Sequence, residues 1–325
     1  MKKNLLLEKS SFFRAVALCL AMSCSTLAAW ANPAVGDVIE YNGVQYKVTS
    51  FECQDMGNFA MIDGAVVVNA QTLTGDVTIP NEISTPVTVS GVTINAYLPV
   101  TAFDLSQMTI GDDLTSLTVN NSGEKAYSVE IPKVCFKDKS NLTSVSFSGE
   151  VSSIGTSAFT HCSSLTSVSF GNVKSLNGSV FESCLKLASV SWGNSEFTEL
   201  PRTFGNCRAL TSITIPASVT KVGQYAFKGC TTLKTVTVKS TTPPTCDDAA
   251  FYRLDLSSCT LIVPEQSKSL YETAAVWKDF GKLETGLGSV TADEAGRANG
   301  KYIEGGRLVI VKGGVKYNML GQEIK

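Results

Sequence analysis

Charge is what this chain has least of. Asp, Glu, Lys and Arg make up 17% of its 325 residues, against about a quarter in an average soluble protein. No patch of Lys and Arg breaks that thinness, so nothing here could grip a phosphate backbone and nucleic acid is set aside as a partner. Past residue 31 only one histidine occurs, His161. Its neighbour is Cys162, and a Cys–His dyad needs facing side chains, which sequence neighbours do not offer. With no further His or Cys at ligand spacing, no metal site is expected. No glycine-rich loop follows a strand to open a helix, and no Gly-x-Ser-x-Gly elbow occurs, so no catalytic residue and no cofactor is assigned. No segment after residue 31 is apolar enough to span a membrane. Asp112-Asp113 and Asp247-Asp248 are isolated acidic pairs, the usual make-up of a solvated turn. Two carboxylates for glycoside cleavage need no fixed spacing, so a hydrolase reading stays open.

What the chain does have begins with an export signature. Residues 1–31 read as a signal peptide: Lys2, Lys3, Lys9 and Arg14 precede an apolar stretch from Ala15 to Ala31, and Ala29-Trp30-Ala31 is an A-x-A cleavage site. The mature chain then starts at Asn32. The signal holds four Lys/Arg against one Glu, so the remainder carries −5 rather than the −2 of the full sequence. An uncleaved anchor and lipidation at Cys24, after Ala21-Met22-Ser23, are the alternatives. Of ten cysteines, Cys19 and Cys24 lie in this segment.

The centre is a repeat. Phe136, Phe159, Phe181, Phe204 and Phe227 are spaced 23, 22, 23 and 23 residues apart. Six residues after each stands Leu142, Leu165, Leu187, Leu210 and Leu233. Three further on come Val145, Val168, Val190, Ile213 and Val236, and two beyond those Phe147, Phe170, Trp192, Ile215 and Val238. Alternation aims the last two positions at one face. One coil cannot bury them alone, but stacked coils make a continuous core. A second apolar run follows (Val151/Ile154, Val173/Leu176, Phe197/Leu200, Val219/Val222), and Gly155, Gly178 and Gly223 are placed to allow a tight turn before the Phe. Cys162, Cys184, Cys207 and Cys230 share one register position, where the first coil has Lys139. They read as small buried thiols, whereas Cys246 and Cys259 are the better disulfide candidates. Leu114, Leu117 and Val119 repeat the strand signature upstream, with a loop at 120–128, and Val77–Pro80 and Val100–Phe103 look like degenerate earlier coils.

The predicted fold is therefore a β-rich solenoid of right-handed, leucine-rich-repeat-like coils of about 23 residues with parallel strands. It occupies 71–283, with a closing unit from about 245. Residues 32–70 form an N-terminal β cap opening on a hairpin, Val38–Tyr41 and Val44–Val48 about Asn42-Gly43. A C-terminal helical cap is expected over 265–280, with Leu270, Ala274, Trp277 and Phe280 as its stripe. A linker follows at 284–300. A β-hairpin tail at 301–325 comprises Leu308–Val311, Gly313-Gly314 and Val315–Tyr317.

The motif Leu-Thr-Ser-Val-x-Phe, followed by Val-x-x-(Ile/Val)-Gly-x-x-Ala-Phe-x-x-Cys, resembles the BspA-type leucine-rich repeat of bacterial surface proteins, most closely over Ser144–Cys162 and Ile213–Cys230. Cys259–Pro264, Tyr271 and Trp277–Phe280 resemble that family's closing unit. The Asn of ordinary leucine-rich repeats is missing. The resemblance covers roughly 65–283 and implies surface exposure and adhesion to host or matrix proteins, with no shared catalytic residue. Tyr317–Gln322 resembles the C-terminal tails of proteins exported by the type IX (Por) system of the Bacteroidetes.

These readings converge on an exported, secreted or outer-surface binding module, monomeric, with a protein or glycan ligand on host or matrix. A hydrolase or carbohydrate-active domain on a solenoid scaffold and a purely structural envelope protein are the alternatives. The candidate binding face is the outward side of the strands: Thr143, Ser144, Ser146, Thr166, Ser167, Ser169, Ser189, Ser191, Thr211, Ser212, Thr214, Thr235 and Thr237. It is nearly uncharged, and a solvated sheet face of good strand formers would look the same. Binding hot spots favour Trp, Tyr and Arg, which directs attention also to the loop residues Tyr225, Arg202 and Arg208.

Overall fold

A computed structural model describes residues 16–18, 33–55, 59–89, 92–123, 126–285, 291–292, 298–304, 307–312 and 315–317 of the chain. The repeat register becomes a β-rich solenoid. Strands Asp76–Ile79, Ser116–Val119, Ser144–Ile154, Ser167–Val173 and Ser189–Ser191 lie side by side in chain order as one parallel sheet. Strands Ser212–Ile215, Thr235–Val238, Thr260–Val263 and Lys282–Thr285 form a second. Each strand's neighbour is the next coil, so like meets like: Val145 faces Val168, Phe147 faces Phe170, and Ile213 faces Val236. Pleating sends these inward and Ser144, Ser146, Ser167 and Ser169 outward. The second apolar run closes the opposite wall, where Glu199–Leu200, Lys221–Val222 and Thr245–Cys246 pair in parallel.

At the turn between the two walls the phenylalanines stack. Phe136, Phe159, Phe181, Phe204, Phe227 and Phe251 form an unbroken column with centroids 4.9 to 5.6 Å apart. Each such pair adds about 0.5–1.5 kcal/mol beyond its burial. The cysteines of the same turn are free thiols, and so are Cys246 and Cys259. That pair cannot bridge because Cys246 ends a strand of the rear wall while Cys259 opens a front strand. Cys162, Cys184, Cys207 and Cys230 point inward, and each thiol donates to the carbonyl of the Phe one coil earlier, at 3.0–3.1 Å. That carbonyl already accepts an amide of its own turn, so the thiol fills its second lone pair.

Burial pushes the Cys230 thiol up to about 12 and holds Cys207 well above a free thiol. For Cys184 the hydrogen bond with Cys162 is the larger cause and burial the second. A thiol with a raised folded pKa stabilises the native state below its unfolded value, and that contribution is lost as pH rises toward the folded value. The urea midpoint is therefore expected to fall between pH 8.5 and 10.5, by up to about 1.4 kcal/mol per thiol for each pH unit. Thiol titration of the denatured, unreduced protein should find every one of these cysteines. A flat midpoint over that window, or two missing consecutive ladder thiols, contradicts the arrangement.

At the N-terminal end Val38–Tyr41 pairs with Val44–Asp55, and the sheet continues through Phe59–Val68 to Val92–Ala102 and Glu82–Val89. Its buried Val44, Tyr46, Val48 and Val66 join the same hydrophobic core as the coils. Asp76–Ile79 is the first front strand, with Val77 opposite Leu117. Val100–Phe103 is not a coil strand. Val100–Ala102 ends the strand Val92–Ala102, which pairs antiparallel with Glu82–Val89, so a hairpin is inserted between the first two front strands. Two alternating runs so close in sequence close their loop at a low entropic cost.

The turn glycines also differ from expectation. Gly155, Gly178 and Gly223 have no positive φ; Ser157, Ser179 and Tyr225, one or two residues later, do. Gly155 is needed for space, because a Cβ there would overlap the backbone of Pro132 and Lys133. The closing helix is short: Lys268–Tyr271, flanked by 3-10 turns Glu265–Ser267 and Trp277–Asp279. Val276 at φ 69 interrupts it. Leu270 is half exposed, and Tyr271 takes its place in the core beside Trp277.

Strands Ala298–Glu304, Arg307–Lys312 and Val315–Tyr317 pair antiparallel in order. The export segment, apart from Val16–Leu18, lies outside the described residues, as do 286–290 and 293–297 of the linker and the tail motif beyond Tyr317. No helix among the described residues is long and apolar enough to cross a membrane.

Candidate functional site

The front sheets bring the candidate residues onto one face. Ser144, Ser167 and Ser189 align, as do Ser146, Ser169 and Ser191. Beyond them Ser212 faces Thr235 and Thr214 faces Thr237. All are exposed or half-buried. The threonines that precede the strands are used in part by the scaffold: Thr143 and Thr166 hydroxyls donate to the Thr115 and Thr143 carbonyls, at 2.8 and 3.0 Å. The serine hydroxyls at 146, 169 and 191 have no partner among the described residues. They stand about 4.8 Å apart along the stack, the strand spacing.

No reactive constellation forms on this surface among the described residues. The Cys162 thiol is buried against the Phe136 carbonyl, while His161 faces solvent with its Nδ1 3.0 Å from Asp138 Oδ1. The two side chains diverge. Asp112 pairs with Lys139 at 2.6 Å, and the hydrogen bond from that lysine lowers its pKa. Asp247 accepts the Ala249 amide in a turn. Below the front face Lys174 bridges two carboxylates, Glu196 at 2.7 Å and Glu150 at 3.4 Å. The Lys174 hydrogen bond, then that of Asn172, holds Glu196 below its usual range, the opposite of what a general acid needs. No group of three or more His, Cys, Asp and Glu among the described residues is placed to hold a metal.

A different chemistry collects at the turn face. Tyr225 and Tyr252 meet edge to face at 5.9 Å. Lys228 sits 4.9 Å over the Tyr225 ring, and the Arg253 guanidinium lies 5.6 Å from the Tyr252 ring. Tyr225 and Arg253 hold left-handed backbones, a strain of about 1–2 kcal/mol each. Of this cluster sequence had pointed to Tyr225 alone; Lys228 stands in the same turn, whereas Tyr252 and Arg253 stand one coil away and become visible only once that coil is placed. Arg202 is committed to an ion pair with Glu182, and Arg208 is exposed.

Among the described residues the front surface has one interruption. No ladder joins Ser189–Ser191 to Ser212–Ile215, and an open cleft of about 450 Å³ occupies the junction, with Ser191, Trp192, Asn194, Thr214, Pro216 and Lys239 in its lining. Nothing in the repeat pattern announced it.

Comparison with known proteins follows the same register. The model of the BspA type leucine rich repeat region matches residues 129–203 and 200–275, in six copies. No curated protein matches the chain. Among solved structures, a T. pallidum leucine rich repeat protein is similar at 22% identity and a TM-score of 0.31, over 38% of this chain and 57% of that one. The chain thus spans less than two thirds of that relative. A leucine rich cell surface protein from Faecalibacterium prausnitzii is 12% identical, TM-score 0.25, over 78% of this chain and 95% of the other. A leucine-rich repeat protein from Bacteroides ovatus is 13% identical, TM-score 0.28, over 72% and 75%.

Proposed function

We propose that this chain is a non-enzymatic binding module, exported to the cell surface or secreted, that adheres to host or matrix proteins or glycans through its repeat surface. The observation that carries the reading is the front face: aligned serine and threonine hydroxyls over consecutive coils, many of them unpartnered, on a rigid parallel sheet. The backbone ladders fix the spacing of these positions, so a ligand meets hydroxyl-bearing side chains at a regular repeat and no backbone ordering entropy remains to be lost on binding. The match of residues 129–275 to a repeat type of bacterial surface proteins supports the compartment. The hydrolase alternative is disfavoured by the Lys174 clamp on Glu150 and Glu196.

The test compares the full chain with a triple variant, Ser146→Glu, Ser169→Glu and Thr237→Glu, on immobilised collagen, laminin and mucin glycans. Surface changes of this kind leave stability within about 0.5 kcal/mol each. Wild type should bind at least one of these surfaces, and the triple variant at least about tenfold more weakly, a loss of about 1.4 kcal/mol. Equal binding by both rules the face out, and release of reducing ends from the glycans turns the reading to the hydrolase. A protein partner has a second surface in its favour, the Tyr225–Tyr252 pair with Lys228 and Arg253, since Tyr and Arg dominate hot spots. If the triple variant binds normally and Tyr252→Ala does not, the turn face is the docking site.

A further inference from the structure

The junction between Ser189–Ser191 and Ser212–Ile215 is a built opening, and its causes can be read from three residues. At other junctions the residue that opens the front strand donates its amide to the preceding coil: Thr166 to Thr143, Ala188 to Thr166, Lys234 to Thr211. Thr211 makes no such bond to Ala188. At the far end of the strand Asn120 donates to Ile79 at 2.8 Å and Lys239 to Ile215 at 3.0 Å. Pro216 holds that position at the open junction and has no N–H to give. The Trp192 carbonyl is met by Ser195 of its own coil instead. Proline alone does not open the sheet, because Pro264 stands at the same register and Thr260–Val263 still pairs with Thr235–Val238.

The further cause is Trp192. It replaces phenylalanine in the inner column, stacking on Phe170 at 5.7 Å and turning its edge to Phe197 and Phe204 at 5.1 and 6.1 Å. The larger ring fills the core between the two coils and wedges the front strands apart. Behind it the coils stay closed: Glu199–Leu200 pairs with Lys221–Val222, Phe204 stacks on Phe227 at 5.5 Å, and the Ser218 hydroxyl bonds the Ser195 and Phe197 carbonyls. The opening is therefore one-sided, with a floor.

Its size selects the occupant. Cα atoms of the two strands still come within 8 Å of each other, whereas inserting a third strand needs about 9.6 Å, twice the strand spacing. A peptide strand is excluded; a small molecule fits about 450 Å³. The lining sets hydroxyls, an amide and open strand edge beside Val190, Trp192, Pro216 and Ala217, with Lys239 the only charged side chain and no carboxylate among the described residues. Lys239 makes no ion pair among the described residues. The chemistry asked for is a polyhydroxylated monoanion.

We propose that this cleft binds a sugar acid, its carboxylate on Lys239 and its ring hydroxyls on Ser191, Asn194 and Thr214. The proposal rests on the binding-module reading and narrows one of its ligands. The full chain is titrated with glucuronate, N-acetylneuraminate, glucose and acetate, followed by tryptophan emission and by calorimetry. One of the two sugar acids should bind with a Kd below about 10 mM, a weak single-site affinity, and glucose and acetate at least tenfold more weakly. Lys239→Gln should weaken the sugar acid about tenfold or more, since a hydrogen-bonded charge is lost, and leave glucose unchanged. Trp192→Phe restores the column residue of the two preceding coils, Phe147 and Phe170, so it should fold, close the gap and abolish binding. Pro216→Ala, which returns the amide, should weaken binding in the same direction. Absence of binding by both acids, or an unchanged Kd in Lys239→Gln, overturns the cleft. Either result leaves the front face to be judged by its own variants, so the two readings fail separately.

Discussion

Replacing Leu187 with aspartate is expected to unfold the coils on both sides of it. Leu187 has no exposed surface, and it stands in the leucine column at the bend before Ser189–Ser191. The substitution removes a buried side chain, at about 2–5 kcal/mol. It also leaves a carboxylate without a partner in a hydrocarbon layer, a further cost of about 3–5 kcal/mol. The carboxylate can escape only by protonation or by opening the coil. A solenoid coil contacts only its neighbours, so the loss spreads along the stack as lost interfaces. Thermal melts should show either no cooperative transition at neutral pH or one displaced by well over 10 °C, with partial recovery at acid pH as the carboxyl protonates. Leu185→Asp is the control: two residues away, it is about half exposed, and its melt should barely move. A wild-type melt for Leu187→Asp would mean that the register of the columns is wrong.

The columns were legible because side chains carry them. A period of 22 or 23 with Phe, Leu and Val in fixed order has one packing solution, and the structure adopts it position for position, down to Val168 opposite Val190. What the sequence withheld lies in the backbone. Asp138, His161, Ser183, Asn206, Gly229 and Arg253 all hold left-handed φ values at one turn position, and only Gly229 among them is a glycine. No composition signal marks such a site. Its reason is a rung: Asp138, His161, Ser183, Asn206 and Gly229 donate their amides to the next coil at 2.7–3.0 Å, which offsets the strain of about 1–2 kcal/mol each. The inserted hairpin at 82–102 was hidden for a related reason, since its alternation is that of any strand and only partner choice separates hairpin from coil. The short closing helix reflects Val276, whose positive φ no helical stripe foretells.

The candidate site divides along the same line. The hydroxyl face was legible from pleating alone. The cleft was not, because Trp192 read as one more large apolar residue in its column and Pro216 as a strand end. Each is ordinary by itself, and together at one junction they leave two strand edges unpaired.

A large effect of a single added methyl group is expected at Gly171. This glycine ends the inward run of Ser167–Val173 and has an ordinary φ, so its freedom of rotation is not the point. Space is. A Cβ at Gly171 would overlap the Ser148 carbonyl and come within 2.9 Å of the Gly149 oxygen. Gly149 and Gly193 meet the preceding coil in the same way, at Asn121 and at Gly171. Three successive coils therefore approach backbone to backbone at this bend. The atoms in the way are main-chain groups fixed by ladders on both sides, so they cannot swing aside as a flexible side chain would. Gly171→Ala should cost about 1–3 kcal/mol or more, although alanine is half-buried there and is the smallest change available. The control is Gly178→Ala, where nothing lies within 4 Å of the added carbon; loss of unfolded-state entropy should make that variant neutral or stabilised by up to about 1 kcal/mol. Paired urea melts of the two variants decide the matter. If Gly171→Ala melts with the wild type, the coils stack farther apart at this corner than the bend requires, and the close backbone approach does not fix their spacing.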